Sequence, residues 1–422
     1  MFNVLRINGS FYLTLRLSAF LLMTIFMSIS CKKGVFPGGN NTNITFFGGP
    51  DDHDIVSMIS TTDGGYLVCG DKVVTSNNKV PFLMKFDATG HKQWSNSYPT
   101  MNGCSAVLQT PDGGYAMQGI SDTSLTTITV LKTDAVGKFQ WEVDYYDYYD
   151  ITPYALCADN NGNYYVSGQI DDNMGPTYKM YVFKINANEQ VSWFKTYNNP
   201  QPASRYYPAN AIIDAQGMLV LEVIGNGGEQ ILKMDSSGKL IAQHTLNRLT
   251  SDTTYLQNTS LIQNQDGSYQ ATFDQTTNNS RPGHPVLQFY YHNLYSVQIS
   301  NDFKQKTLVH LDSIYNINLN TTTLTAGTRM NIPFIQEANG NLFEAVPLIS
   351  YNGYSQVQGQ FAFILKNPQG KAILNKTLPG WPGNVIQDKT GNYFICGLSL
   401  NPDSDTRCVF AMYVDANGNN LN

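Results

Sequence analysis

Asp51-Asp52-His53-Asp54 is the densest run of potential metal ligands in the chain, three carboxylates around one imidazole. Such donors could hold a divalent cation, but we read the run as a solvated turn. The other histidines, His91, His244, His284, His292 and His310, are scattered, with no HExxH or HxH spacing to fix a metal on one face. Nucleophilic chemistry has no better footing. No GxSxG elbow, Walker loop or CxxC pair is present. Gly225-Asn226-Gly227-Gly228 lies between two strand patterns and reads as a hairpin turn, not a phosphate cradle. We therefore expect no catalytic residue, no metal and no cofactor.

Recognition chemistry is better represented. Tyr145-Tyr146-Asp147-Tyr148-Tyr149, Arg205-Tyr206-Tyr207 and Gly380-Trp381-Pro382 bring large rings with polar tips into connecting segments. Such side chains suit glycan or peptide contact. Tyr148, Tyr149, Tyr206, Tyr207 and Trp381 are the candidate ligand-binding residues; their other possible use is packing between repeats.

The elements that carry these residues repeat. A tight turn feeding a strand recurs at Asp63-Gly64-Gly65-Tyr66, Asp112-Gly113-Gly114-Tyr115, Asn161-Gly162-Asn163-Tyr164, Asp266-Gly267-Ser268-Tyr269, Asn339-Gly340-Asn341-Leu342 and Thr390-Gly391-Asn392-Tyr393, with a degenerate copy at Ala215-Gln216-Gly217-Met218. A second turn recurs at Asp87, Asp134, Asn186, Asp235, Asn367 and Asp415, with a weak member at Ser300. Asp or Asn followed by Gly is what hairpin turns need, because they demand positive φ and a side chain that can bond its own backbone. The first unit resolves into four strands, near 55–60, 66–70, 82–86 and 94–98. Successive second turns are 47, 52, 49, 65, 67 and 48 residues apart. A period near 50 with four short strands means propeller blades. The fold expected is all-β, a single β-propeller of seven four-stranded blades. Eight is the alternative, if one of the long intervals in blades five and six hides a degenerate copy. The last blade ends soon after Asp415 without an outer strand, so residues 43–49 (NITFFGG) are expected to complete it and remove the open edge.

This topology puts both Gly-containing turns on one face. The other face receives the long, variable loops, where a rigid scaffold usually carries function. Lys85, Lys132, Lys184 and Lys233 recur two residues before the second turn. We read them as structural, their stems covering apolar surface. Trp94, Trp141 and Trp193 recur likewise and read as blade-to-blade core. Cys69 and Cys396 occupy equivalent positions in two blades, too far apart to bridge. With Cys104, Cys157 and Cys408 they make an odd set, expected to be buried free thiols.

At the N-terminus, Arg6 and Arg16 precede an apolar run from Leu17 to Met27 that ends in Ser28-Ile29-Ser30-Cys31. A positive segment, a short apolar stretch and small residues describe a secretory signal. The run is shorter than the ~20 residues a membrane-crossing helix needs. The cysteine after the small residues resembles the lipobox of bacterial lipoproteins. That resemblance implies cleavage after Ser30 and acylation of Cys31 as the lipid anchor. The organisation expected is residues 1–30 signal peptide, 31–43 tether and 44–422 propeller. Net charge is −6 for the whole chain, and the first thirty residues contribute two arginines and no acid, leaving −8 for the rest. No Lys/Arg cluster is present, so a nucleic-acid partner is excluded.

The DAxGxxxW runs at Asp87–Trp94 and Asp134–Trp141 resemble the tryptophan docking motif of quinoprotein-like propellers, with Asp and Gly one residue closer together. No quinone is implied. The DGGY…DxxG…W repeats resemble more closely the propeller lipoproteins of Bacteroidota-type envelopes, over residues 44–422. That resemblance implies a fold and no particular activity. Asp63-Gly64-Gly65 is similar to the sialidase Asp-box but falls between the first two strands of its blade, where that box does not belong. The resulting expectation is a non-catalytic envelope lipoprotein of the outer membrane that touches the membrane only through its lipid and binds a protein or glycan partner through the loop face. The alternative is a polysaccharide-acting enzyme, a glycosidase or lyase, on the same scaffold.

Overall fold

The computed structural model describes residues 4–6, 45–47, 52–75, 78–121, 127–146, 150–171, 178–198, 206–225, 228–247, 254–280, 287–304, 306–319, 332–348, 351–352, 355–356, 360–400 and 407–421. They form a seven-bladed β-propeller, each blade a four-stranded antiparallel sheet. Blade one is Asp52–Ser60, Tyr66–Thr75, Asn78–Phe86 and Lys92–Ser97. The first strands of blades one to five pack on one another in sequence, and those of blades six, seven and one continue the series, so the first strands line the centre. Both turn motifs form where expected, with glycines such as Gly64 and Gly90 at positive φ.

The middle strands are sandwiched between neighbouring blades. Tyr66–Thr75 accordingly begins with six buried residues in a row, whereas the outer strand Lys92–Ser97 alternates exposed and half-buried. Burial on both faces makes a strand read as a continuous apolar run; burial on one face gives alternation.

The apolar core is a series of joints. Six clusters fill the gaps between blades one and two, two and three, three and four, four and five, six and seven, and seven and one. Among the described residues the gap between blades five and six has no such cluster and is largely polar. There Gln270 meets Gln336, and Lys366 bridges Asp312 and Glu344.

The tryptophans work at these joints as read. Trp94 packs on Tyr115 of the next blade, with ring centroids 5.8 Å apart, and Trp141 packs edge-on to Tyr164 at 5.5 Å. Trp193 Nε1 donates to the Ser236 carbonyl oxygen of the following blade at 3.2 Å.

The long intervals do not hide an eighth blade. Blade five spends its extra residues on longer strands, Tyr269–Ser280, Leu287–Ile299 and Lys306–Leu319. Blade six adds a two-stranded ribbon, Tyr351–Asn352 with Ser355–Gln356, between its second and third strands. In blade seven Thr45–Phe47 pairs with Arg407–Val414, Phe46 opposite Phe410. Val4–Arg6, within the segment expected to be a signal peptide, pairs along the outer strand of blade two, Phe139–Tyr146.

One regularity escaped the sequence reading. The inner strand breaks register at the same place in six blades, between Ile55 and Ser57, Cys104 and Ala106, Pro153 and Ala155, Pro208 and Asn210, Gln257 and Ser260, and Pro382 and Asn384. A bulge adds twist and bends a strand, which suits one that must follow the wall of a narrow ring. Three of the breaks follow a proline, tolerated because an inner strand has no ladder partner on its channel side. The neighbouring second strand answers with glycine. A Cβ on Gly70 would collide with the Asp54 carbonyl, and one on Gly168 with that of Thr152.

Candidate functional site

Every inner strand starts at the loop face and runs toward the Gly turns, so its first residues stand at the loop-face mouth of the channel. Tyr206 and Tyr207 open the inner strand of blade four and Trp381 opens that of blade seven. The two tyrosines are adjacent, and Trp381 stands three blades away. Cys31, Tyr148 and Tyr149 lie outside the described residues.

Tyr206 is buried, 3% exposed, in the joint between blades three and four. Its hydroxyl meets Gln230 Oε1 at 3.3 Å, and burial pushes its pKa up to about 12. It also lines a cleft of about 310 Å³ with Thr196, Tyr197, Asn198, Leu232, Leu240 and Gln243. Tyr207 is half-buried and stacks on Tyr154 of blade three, centroids 4.6 Å apart and planes 24° from parallel. Tyr154 is itself the extra residue of its strand's bulge. Backbone bending therefore presents one ring of the stack, and strand register supplies the other. Trp381 is half-buried.

The Asp52-His53-Asp54 segment is not the solvated turn expected. It is the start of the inner strand of blade one. His53 is buried with its ring edge-on to Phe82 at 5.8 Å, so strand alternation turns the imidazole inward. Asp54 pairs with Arg407 Nη1 at 2.6 Å and with Lys79 Nζ at 3.7 Å. Asp71, directly across the ladder from Asp54, lies 3.8 Å from the same ammonium. Like charges facing each other across a ladder repel, and Lys79 offsets that. Burial raises the Asp71 carboxyl above the ordinary range, opposed by the Cys104 N–H and by Lys79. No cluster of three or more His, Cys, Asp or Glu among the described residues could hold a metal ion.

Other titratable groups are sealed inside blades. Burial and the neighbouring Glu222 hold the Glu229 carboxyl well above its ordinary value. Asp274 and His292 Nδ1 meet at 2.7 Å, both buried.

The recurrent lysines are ionic as well as apolar. Lys132 Nζ donates to Asp112 Oδ2 and to the Thr133 carbonyl oxygen, and Lys233 Nζ meets Asp214 and the Tyr269 hydroxyl. Blade three has Asn161 at the turn position that Asp63 and Asp112 hold, and Lys184 there lies over the Tyr165 ring, 5.3 Å from its centroid.

No family model matches the sequence, and no curated protein matches it. Solved structures similar in fold include a protein of unknown function from Bacteroides caccae, 10% identical over 78% of this chain and 94% of that one, TM-score 0.39. An endo-arabinase from Bacteroides thetaiotaomicron is 14% identical over 61% and 92%, TM-score 0.29. A quinoprotein alcohol dehydrogenase-like protein from the same organism is 12% identical over 79% and 66%, TM-score 0.36.

Proposed function

We propose that this chain is an exported, lipid-anchored, non-catalytic binding protein of the cell envelope, taking a protein or glycan at the loop face of its propeller. The observation that carries this reading is the composition of the loop-face side of the ring. A stacked Tyr154–Tyr207 pair offers a flat aromatic surface, and an ion network of Arg407, Asp54 and Lys79 offers fixed hydrogen-bonding charge on the same face. Aromatic anchors beside oriented polar groups are the usual make-up of a recognition surface.

The competing reading, a polysaccharide-acting enzyme, needs two carboxylates with room for a water or a sugar between them. Asp54 and Asp71 face each other on blade one, but the Lys79 ammonium occupies the space between. Closure of the ring by residues 43–49 belongs to the same proposal, supported by the Thr45–Phe47 pairing.

The test is a glycan array, together with pull-downs from envelope extracts, using the wild-type chain. Tyr207→Ala with Trp381→Ala should abolish whatever binding is found. Thr89→Ala in the exposed turn on the opposite face should leave it intact. Binding unaffected by the first pair would place the ligand elsewhere.

A further inference from the structure

We propose that Cys69 and Cys104 form a disulfide that staples blade one to blade two. Cys69 lies on the second strand of blade one, and Cys104 begins the inner strand of blade two. Their Sγ atoms are 2.7 Å apart. A disulfide bond is ~2.05 Å long, so the pair needs a further approach of under ~1 Å.

One hydrogen bond and one turn, neither involving the sulfurs, hold Cys104 against its neighbour. Asp71 is two residues beyond Cys69 and so on the same side of its strand. Its Oδ1 accepts the Cys104 N–H at 3.0 Å. Gly103 turns the chain into this position at φ +116, a conformation that an L side chain would resist. Cys69 is fully buried among Leu83, Met101, Val107 and Met117. In that setting two thiols beside a buried carboxylate gain little, whereas a disulfide is an apolar bridge that fits the joint.

Cys104 is the more exposed of the two and is the natural entry point. A small or protein disulfide oxidant forms a mixed disulfide on Cys104 and releases one thiol. The Cys69 thiolate then attacks Cys104 Sγ, forming the intramolecular bond and releasing the second thiol. The two cysteines lose two protons and two electrons, and the oxidant's disulfide gains them. Burial and Cys69 hold the Cys104 thiol well above its ordinary pKa, so exchange is slow in the closed ring and favoured before the two blades dock. The inference depends on the export reading only for where an oxidant is met in the cell. The assay below supplies its own.

The full chain would be incubated with excess oxidised glutathione in sub-denaturing urea, quenched with N-ethylmaleimide under denaturing conditions and digested without reductant. Most Cys69 and Cys104 should appear in one linked peptide pair, with Cys157, Cys396 and Cys408 alkylated. The oxidised chain should melt several degrees above the reduced chain, and Cys104→Ser should melt like the reduced chain with or without oxidant. Alkylated Cys69 and Cys104 peptides, linkage to other cysteines or a glutathione adduct left on Cys104 would each overturn the proposal. So would a melting temperature indifferent to reductant.

Discussion

Lys85 Nζ lies 2.9 Å from Asp63 Oδ2, with the lysine side chain 2% exposed and the aspartate 54% exposed. The pair ties the third strand of blade one to the turn between its first two strands, and Nζ also donates to the Phe86 carbonyl oxygen. One end of the bridge is in water and the other is in the core, so the two partners are not equivalent. Asp63→Ala leaves the buried ammonium with the Phe86 carbonyl oxygen and, because the lost partner is half exposed and screened by water, should cost roughly 1–2 kcal/mol, between the values for surface and buried pairs. Lys85→Met removes the charge and keeps the stem, and should cost distinctly less. Chemical denaturation of the two variants measures the difference.

The same contact explains the second glycine of the turn. A Cβ at Gly65 would collide with the Phe86 carbonyl oxygen and stand 2.5 Å from Lys85 Nζ, whereas one at Gly64 meets only Ala88 at 3.6 Å. Gly64→Ala carries the strain of positive φ, about 1 kcal/mol. Gly65→Ala must also displace backbone or break the bridge, and its midpoint should fall further.

Burial, and then Asp312, push the Glu344 carboxyl up to about 8 from an ordinary 4.5, against the pull of Lys366. Between those values the folded ring keeps a proton that the unfolded chain has released. Stability from this group is therefore full below pH 4.5 and declines as pH rises toward about 8. Melting temperature should drop by a few degrees between pH 5 and pH 8, and the drop should shrink in Glu344→Gln, which keeps the neutral shape. An equal drop in the variant would assign the effect to other groups.

Two predictions concern the segments ahead of blade one. Cys31→Ala should be exported yet soluble on cell fractionation; pelleting with membranes like wild type would remove the anchor reading.

Deletion of residues 43–49 should bare the Arg407–Val414 edge, lower the melting temperature and promote association. An unchanged, monodisperse product would show that the ring closes without this segment.

The blade count was legible because turn chemistry is local. An Asp-Gly pair at positive φ announces itself within four residues, and both turn motifs formed where they were read. The partner of Lys85 was not legible, because Asp63 is 22 residues away and only the folded meander brings the two together. Recurrence of the two motifs with one period was the available clue. The bulges left no sign except the prolines at 153, 208 and 382, which sequence alone does not distinguish from loop prolines. The proximity of Cys69 to Cys104 was not legible either, because Cys104 sits in a non-equivalent strand of the next blade. Tyr206 and Tyr207 looked interchangeable in the sequence. Strand alternation buries the first and leaves the second half-exposed on Tyr154.

The polar gap between blades five and six makes the ring a split washer. Six apolar joints hold blades six, seven and one to five as a continuous arc, while among the described residues the two ends of that arc form no apolar cluster and meet through hydrogen bonds and a lysine shared between two acids. Water and protons compete directly for such contacts but not for buried rings. Opening of the ring is therefore expected to begin at this seam, before the apolar joints of the other blades yield.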